Sequence, residues 1–138
     1  MLNDKRFIKF KFEKQIDNLK FKDNEINILF YSENNNLLSK SFNSQKDLLN
    51  LFKKIIINES SNIILVRSEK GNFLLVKRKT LDKDLTYKYL EELGGKIYNK
   101  IKLLGSSEAK IYENDISING RIALGILLSS YKFKNYKK

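Results

Sequence analysis

Two groups of side chains in this chain have types and spacings that could do chemistry. Lys77, Arg78 and Lys79 directly follow the apolar run Phe73-Leu74-Leu75-Val76. That puts three cations at the end of a strand, where α/β sheets tend to hold phosphate-bearing ligands. Lys132, Lys134 and Lys137 interleave with Tyr131, Phe133 and Tyr136. Rings that stack on bases, beside lysines that neutralise phosphates, would suit single-stranded nucleic acid. Each pattern has a plainer reading: a solvated turn for the first, and for the second, rings docked on their own domain with the lysines in water. The carboxylates form no third group. Asp17, Asp23 and Glu25 are scattered, and the adjacent Glu91 and Glu92 point to different faces of a helix. The sequence has no His, no Cys and no HExxH, so it offers no imidazole base, no thiolate and no zinc-ligand spacing. No catalytic residue and no metal ligand is assigned to this chain.

Composition narrows the class further. At 138 residues the expectation is one domain without an internal boundary, long enough to bury a core unaided. The net charge is +11, but only four of the 27 basic residues are arginine, the side chain favoured for base and phosphate recognition. The basic excess gathers at the two ends, residues 1–22 and 132–138, which reads as solvated faces more than as a nucleic-acid footprint. Lack of cysteine fits a reducing compartment, and no window is apolar enough for a membrane span. The charged start MLNDKRFIKFKF does not resemble a signal peptide. A cytoplasmic protein without a membrane partner is expected.

The elements that must position these residues follow from periodicity. Residues 7–12 alternate strictly, with Ile8, Phe10 and Phe12 opposite Lys9 and Lys11, as in a half-exposed edge strand. Residues 26–31 (INILFY) predict a buried strand, followed by a turn at Asn34, Asn35 and Asn36 and a short return strand over 37–42. Ser44 is read as the cap of a helix with Asp47 in a weak capping box, and Leu48, Leu51, Phe52, Ile55 and Ile56 as its buried stripe. Residues 62–67 and 73–78 predict paired strands around the loop 68–72. A second helix over 84–103 buries Leu90, Leu93, Ile97, Ile101 and Leu104 and stops at Gly105. Short strands are expected at 109–112 and 116–118, and Asn119 caps a last helix over 121–130. That helix is apolar all round and therefore expected to be buried. The aromatic-basic segment after it has no period to continue it and reads as an exit strand or linker. Alternating strands and helices give an α/β class with a sheet covered on both faces.

Gly94 and Gly95 interrupt the second helix, at roughly 2 kcal/mol of lost helix propensity, which suggests another backbone too close for a Cβ. This helix, the run Gly105-Ser106-Ser107-Glu108-Ala109-Lys110-Ile111-Tyr112, and the last helix with Gly125 leading into Tyr131, Phe133, Tyr136 and Lys137 resemble, in order and spacing, the N-terminal domain of the leucyl (cytosol) aminopeptidases. The match in residues begins near Asp82; before it, only element order agrees. Where that family has a Gly-Leu-Gly-Lys turn, this chain has Lys77-Arg78-Lys79-Thr80.

The resemblance implies a three-layer α/β sandwich with a mixed, macro-like sheet. It implies residues 1–131 as the N-terminal domain and 132–138 as the start of a linker to a catalytic domain absent from this chain. The family's enzymes release N-terminal residues from peptides with two divalent metals, of zinc or manganese type, held in that catalytic domain and activating a bridging water. Its marker run Asn-Thr-Asp-Ala-Glu-Gly-Arg is absent here, so no metal site is transferred and the chain alone is expected to be inactive. The implied partners are the catalytic domain and further copies in a hexamer. DNA is the alternative partner, with Lys77, Arg78, Lys79, Lys132, Lys134 and Lys137 as the contacts. A macro-type ADP-ribose pocket is disfavoured by the lack of a Gly-rich phosphate loop.

Overall fold

The computed structural model describes residues 8–14, 16 and 19–136, with the backbone only for 132–136. Phe7, Asp17, Lys137 and Lys138 lie outside the described residues. The order is β1 (Lys9–Phe12), β2 (Glu25–Tyr31), α1 (Lys46–Asn58), β3 (Ile63–Ser68), β4 (Gly71–Lys77), α2 (Tyr87–Leu104), β5 (Glu108–Tyr112) and α3 (Ile116–Tyr136). Among the described residues the chain is α/β, with a mixed five-stranded sheet and three α-helices. It forms two compact units, Met1–Lys79 with Ser106–Asn114, and Thr80–Gly105 with Asp115–Lys138. No shift in composition marks the junctions, which is why the sequence reads as undivided.

In the first unit the sheet order is β1-β5-β2-β4-β3, parallel except for β3, which pairs antiparallel with β4. The alternating N-terminal strand lies at the edge, as its lysines require. β2, with the apolar run Ile28-Leu29-Phe30-Tyr31, lies at the centre and is buried throughout. On one sheet face Leu29, Tyr31, Phe73, Leu75, Ile64 and Val66 meet Leu48, Phe52 and Ile56 of α1. Phe42 adds an edge contact to the Tyr112 ring at 4.8 Å, and Phe52 one to Phe73 at 5.1 Å. On the opposite face Ile28, Phe30, Leu74, Val76 and Ile111 are also buried. Continuous apolar runs in β2 and β4, in place of alternation, are the sequence mark of that two-sided burial.

Three local expectations are corrected in this unit. Residues 37–42 do not return as a strand. β5 ends at Tyr112 opposite Leu29, so only the last residues of β2 have a free side. Leu37 makes one bridge there with Tyr31, and a 3-10 turn, Lys40–Phe42, follows. Buried Ser39 locks this turn in place: its Oγ donates to the Tyr112 carbonyl at 2.6 Å and accepts from the Phe30 N–H at 2.9 Å. Ser44 does not cap α1. The N–H of Gln45 is bound to the Phe42 carbonyl, and the helix starts after Gln45 without a side-chain cap. Leu51, expected in the buried stripe, is 39% exposed.

The second unit pairs α2 with α3. Thr86 caps α2 by accepting from the Tyr89 N–H at 3.0 Å, and Gly105 ends it in the left-handed conformation at φ 75°. Both ends of α3 differ from expectation. Residues 116–118 are its first turn, because Asp115 Oδ1 accepts from the N–H groups of Ser117 at 2.9 Å and Ile118 at 3.3 Å. A carboxylate cap of that kind fixes a helix start against a weak three-residue strand signal. At the other end the helix continues through Tyr136, so the aromatic-basic segment is helical up to that residue. No Gly or Pro interrupts residues 126–136, and Lys, Tyr, Phe and Asn all tolerate helix. Nor is α3 buried all round: Ile118, Ile122, Gly125 and Ile126 are buried, whereas Leu127 is 62% and Leu128 45% exposed.

Candidate functional site

The helix crossing of the second unit is built on glycine. A Cβ on Gly125 would overlap the carbonyl oxygen of Glu91, and a Cβ on Gly94 that of Ile122. Gly95 is less constrained, since its Cβ would meet only the Ser129 Oγ, at 2.7 Å. The expectation of a close backbone holds at Gly94 but not at Gly95, and Gly125 supplies the reciprocal half. Two helices can come this close only where both lack a side chain at the crossing.

Close approach leaves the outward side shaped as a groove of about 640 Å³, with Tyr87, Glu91, Gly95, Asn99, Gly125 and Leu128 among its walls. At its α2 end Arg121 stacks over the Tyr87 ring, 3.5 Å from the centroid, and reaches Glu91 Oε2 at 3.3 Å. Planar stacking with a carboxylate contact holds the guanidinium in place. Tyr87, Leu127 and Tyr131 are 65%, 62% and 65% exposed.

The strand-end cations separate. Arg78 is buried, with Nη2 2.9 Å and Nε 3.0 Å from Glu113 Oε1, and Nη1 donating to the Lys79 carbonyl at 2.8 Å. Its own N–H binds the Tyr31 carbonyl. Glu113 follows β5 and Arg78 follows β4, with β2 between them, so this pair ties three strand ends together. Arg78 thus lies in a buried ion pair and not at an open strand end. Lys77 is half-buried and Lys79 exposed, and the two do not form a cluster with it. Tyr131 lies on α3; Phe133, Tyr136, Lys132 and Lys134 lie on its last turns, where only the backbone is described.

Sequence reasoning missed a polar ladder across the other half of the sheet. Glu25 of β2, Glu108 of β5 and Lys9 of β1 share one register, and Asn27, Lys110 and Lys11 the next on the same face. Glu25 is buried, with Lys110 Nζ at 3.4 Å and Lys22 Nζ at 3.9 Å, and Glu108 meets Lys11 at 3.3 Å. Burial opposes the charge on Glu108, but contact with Glu25 and Lys11 and the field of Lys9 outweigh it and hold this carboxyl below the usual range. The Tyr112 hydroxyl donates to Asn27 Oδ1 at 3.3 Å. Alternation of charge inside Glu108-Ala109-Lys110 was the available signal, but its partners lie more than 80 residues away in sequence.

Among the described residues no three His, Cys, Asp or Glu side chains converge to hold a metal ion, and no helix is long and apolar enough to cross a membrane. Neither protein-family models, nor curated proteins, nor solved structures contain a significant match to this chain.

Proposed function

We propose that this chain is a non-catalytic domain of the leucyl aminopeptidase N-terminal type, which serves assembly and access to an active site carried by a partner segment. The mixed five-stranded sheet is compatible with the macro-like, three-layer sandwich that the resemblance implies. Gly94, Gly95 and Gly125, which carry much of that resemblance, lie together at one helix crossing. The observation that carries the reading is the exposed surface of α2 and α3, where Tyr87 and Leu128 line a groove and Leu127 and Tyr131 are exposed elsewhere on α3. An apolar face of this kind is the signature of a surface that associates. The peptide hydrolysis, with its two zinc- or manganese-type metals, belongs in this proposal to the partner. Copies of the assembled protein would form the cytoplasmic oligomer.

The test is co-expression with the segment of the same genome that carries the Asn-Thr-Asp-Ala-Glu-Gly-Arg run. The two should co-purify, and Leu128→Glu with Tyr131→Glu should separate them while each remains folded. The chain alone, with zinc or manganese, should release no leucine from leucinamide. A genome without such a segment, or a segment indifferent to this chain, would overturn the proposal.

A further inference from the structure

We propose a second site, in the first unit, that binds a small hydroxylated anion such as a polyol phosphate or a polyhydroxy carboxylate. It is the cleft of about 250 Å³ at the carboxyl end of β2, lined by Tyr31, Asn35, Leu37, Lys46, Asn50 and Lys53 among others. It stands independently of the assembly reading, since none of these residues lies on α2 or α3.

The local structure explains why the cleft forms. After β2 the chain turns back at once, with the Ser32 N–H bound to the Asn36 carbonyl and the Asn35 N–H bound to the Ser32 carbonyl, both at 2.9 Å. Asn35 takes the left-handed conformation at φ 67°, which asparagine tolerates better than most residues. The turn therefore stands off the first turns of α1. Lys46, Asn50 and Lys53 are spaced four and three residues apart, so they share one helix face. Leu37 and Leu49 supply the apolar walls.

The polar inventory of the cleft is lopsided, and that selects its ligand. None of its lining residues is acidic; neither Glu33 of the turn nor Asp47 of the helix is among them. Among the described residues, neither Lys46 nor Lys53 pairs with a carboxylate. Two unpaired ammonium groups a turn or two apart call for an anion. Asn35 Oδ1 is buried and has no hydrogen-bond partner among the described residues, because the turn is closed by its backbone and by the Ser32 hydroxyl. A buried acceptor left in that state is unfavourable until a donor reaches it, and a ligand hydroxyl entering the cleft is such a donor. The Tyr31 hydroxyl also lacks a partner among the described residues, and burial pushes its ionisation well above the ordinary range, so it remains a neutral donor and acceptor. The cleft is large enough for a compact metabolite and lies below the volume of a full drug-type pocket.

The experiment is an amide-resolved NMR titration of the whole chain with glycerol phosphate, glycerate, inorganic phosphate and glycerol, each to about 10 mM, tenfold above a Kd of about 1 mM. Saturable shifts should centre on the side-chain amides of Asn35, Asn36 and Asn50 with the first two, and be absent with glycerol. Which of the two binds tighter decides between phosphate and carboxylate. Lys46→Gln and Lys53→Gln should each weaken binding roughly tenfold, as losing a charge-assisted hydrogen bond does, while Lys70→Gln on the β3–β4 loop changes nothing. Asn35→Gly keeps the left-handed turn and removes the orphaned acceptor. It should reduce glycerol phosphate affinity towards that of inorganic phosphate. Absence of saturable shifts with every anion, shifts centred on Lys77 and Lys79, or full affinity in the double lysine variant would overturn the assignment.

Discussion

Replacing Gly125 by alanine sets two effects of opposite sign against each other. Gly125 lies inside α3, and a glycine-to-alanine change in a helix interior is worth roughly 1 kcal/mol in favour of folding. The alanine Cβ, however, would overlap the Glu91 carbonyl oxygen and stand 2.6 Å from its carbon and 2.8 Å from its Cα. All three atoms are backbone, so no side-chain rotation relieves the contact. α2 and α3 must part locally by about 1 Å to restore ordinary separation, which opens gaps along Leu90, Leu93 and Ile122. Overpacking of this kind is destabilising by about 1–3 kcal/mol or more before the propensity gain is credited. Gly125→Ala and Gly94→Ala should therefore both lower stability, by about 1–2 kcal/mol net, or roughly 3–8 °C in melting temperature for a chain of this length. Gly95→Ala should be near neutral, because the Ser129 hydroxyl that its Cβ meets can rotate away. Gly120→Ala should raise stability by about 1 kcal/mol, since nothing lies within 4 Å of its Cβ. Urea unfolding followed by circular dichroism gives the four values, and amide exchange across α2 and α3 localises them. If Gly125→Ala and Gly94→Ala gain stability like Gly120→Ala, the helices are not in backbone contact, and the physical explanation for the glycine pair is lost.

Removing one partner of the buried Arg78–Glu113 pair, as in Glu113→Gln or Arg78→Met, should reduce stability by about 3–5 kcal/mol. The double variant Arg78→Met with Glu113→Leu should recover much of this loss; additive losses in a double-mutant cycle would show that the two do not act as a pair. Because the Glu108 carboxyl is depressed in the folded state, its contribution is complete above the unfolded value of about 4.3 and fades as pH falls through the lower folded value. Glu108→Gln should therefore lose stability at neutral pH and flatten the acid limb of a melting-temperature profile; an unchanged limb would refute that linkage. Single-stranded DNA, followed by fluorescence anisotropy, should show negligible affinity at about 150 mM salt; tight binding there that weakens steeply with added salt would transfer the function to nucleic acid.

What the sequence could reveal depended on how far apart the deciding residues are. Strands β2, β3 and β4 and the body of α2 carry their signal in contiguous periodic runs, and the expected bounds fall within a residue or two for most of them. The glycine pair was legible for a similar reason: helix propensity alone makes two central glycines unfavourable, so an opposing contact had to exist, although its partner, the carbonyl of Ile122, could not be named. The ends of elements were less legible, because they were decided by competition between caps and partners. Ser44 looked like a cap, but the turn closed by Phe42 and Gln45 moved the start of α1, and Asp115, not Asn119, set that of α3. The site residues were hardest. Arg78 reads as a surface cation within Lys77-Arg78-Lys79, but it is buried against Glu113, 35 residues on, which follows a strand on the far side of β2. Electrostatic partners in a parallel sheet are brought together by crossovers, so local charge patterns cannot distinguish a binding patch from an internal pair. The cleft beside Asn35 was hidden for a related reason: between its turn and its helix face, residues 40–42 fold as a 3-10 turn where the sequence suggested a strand.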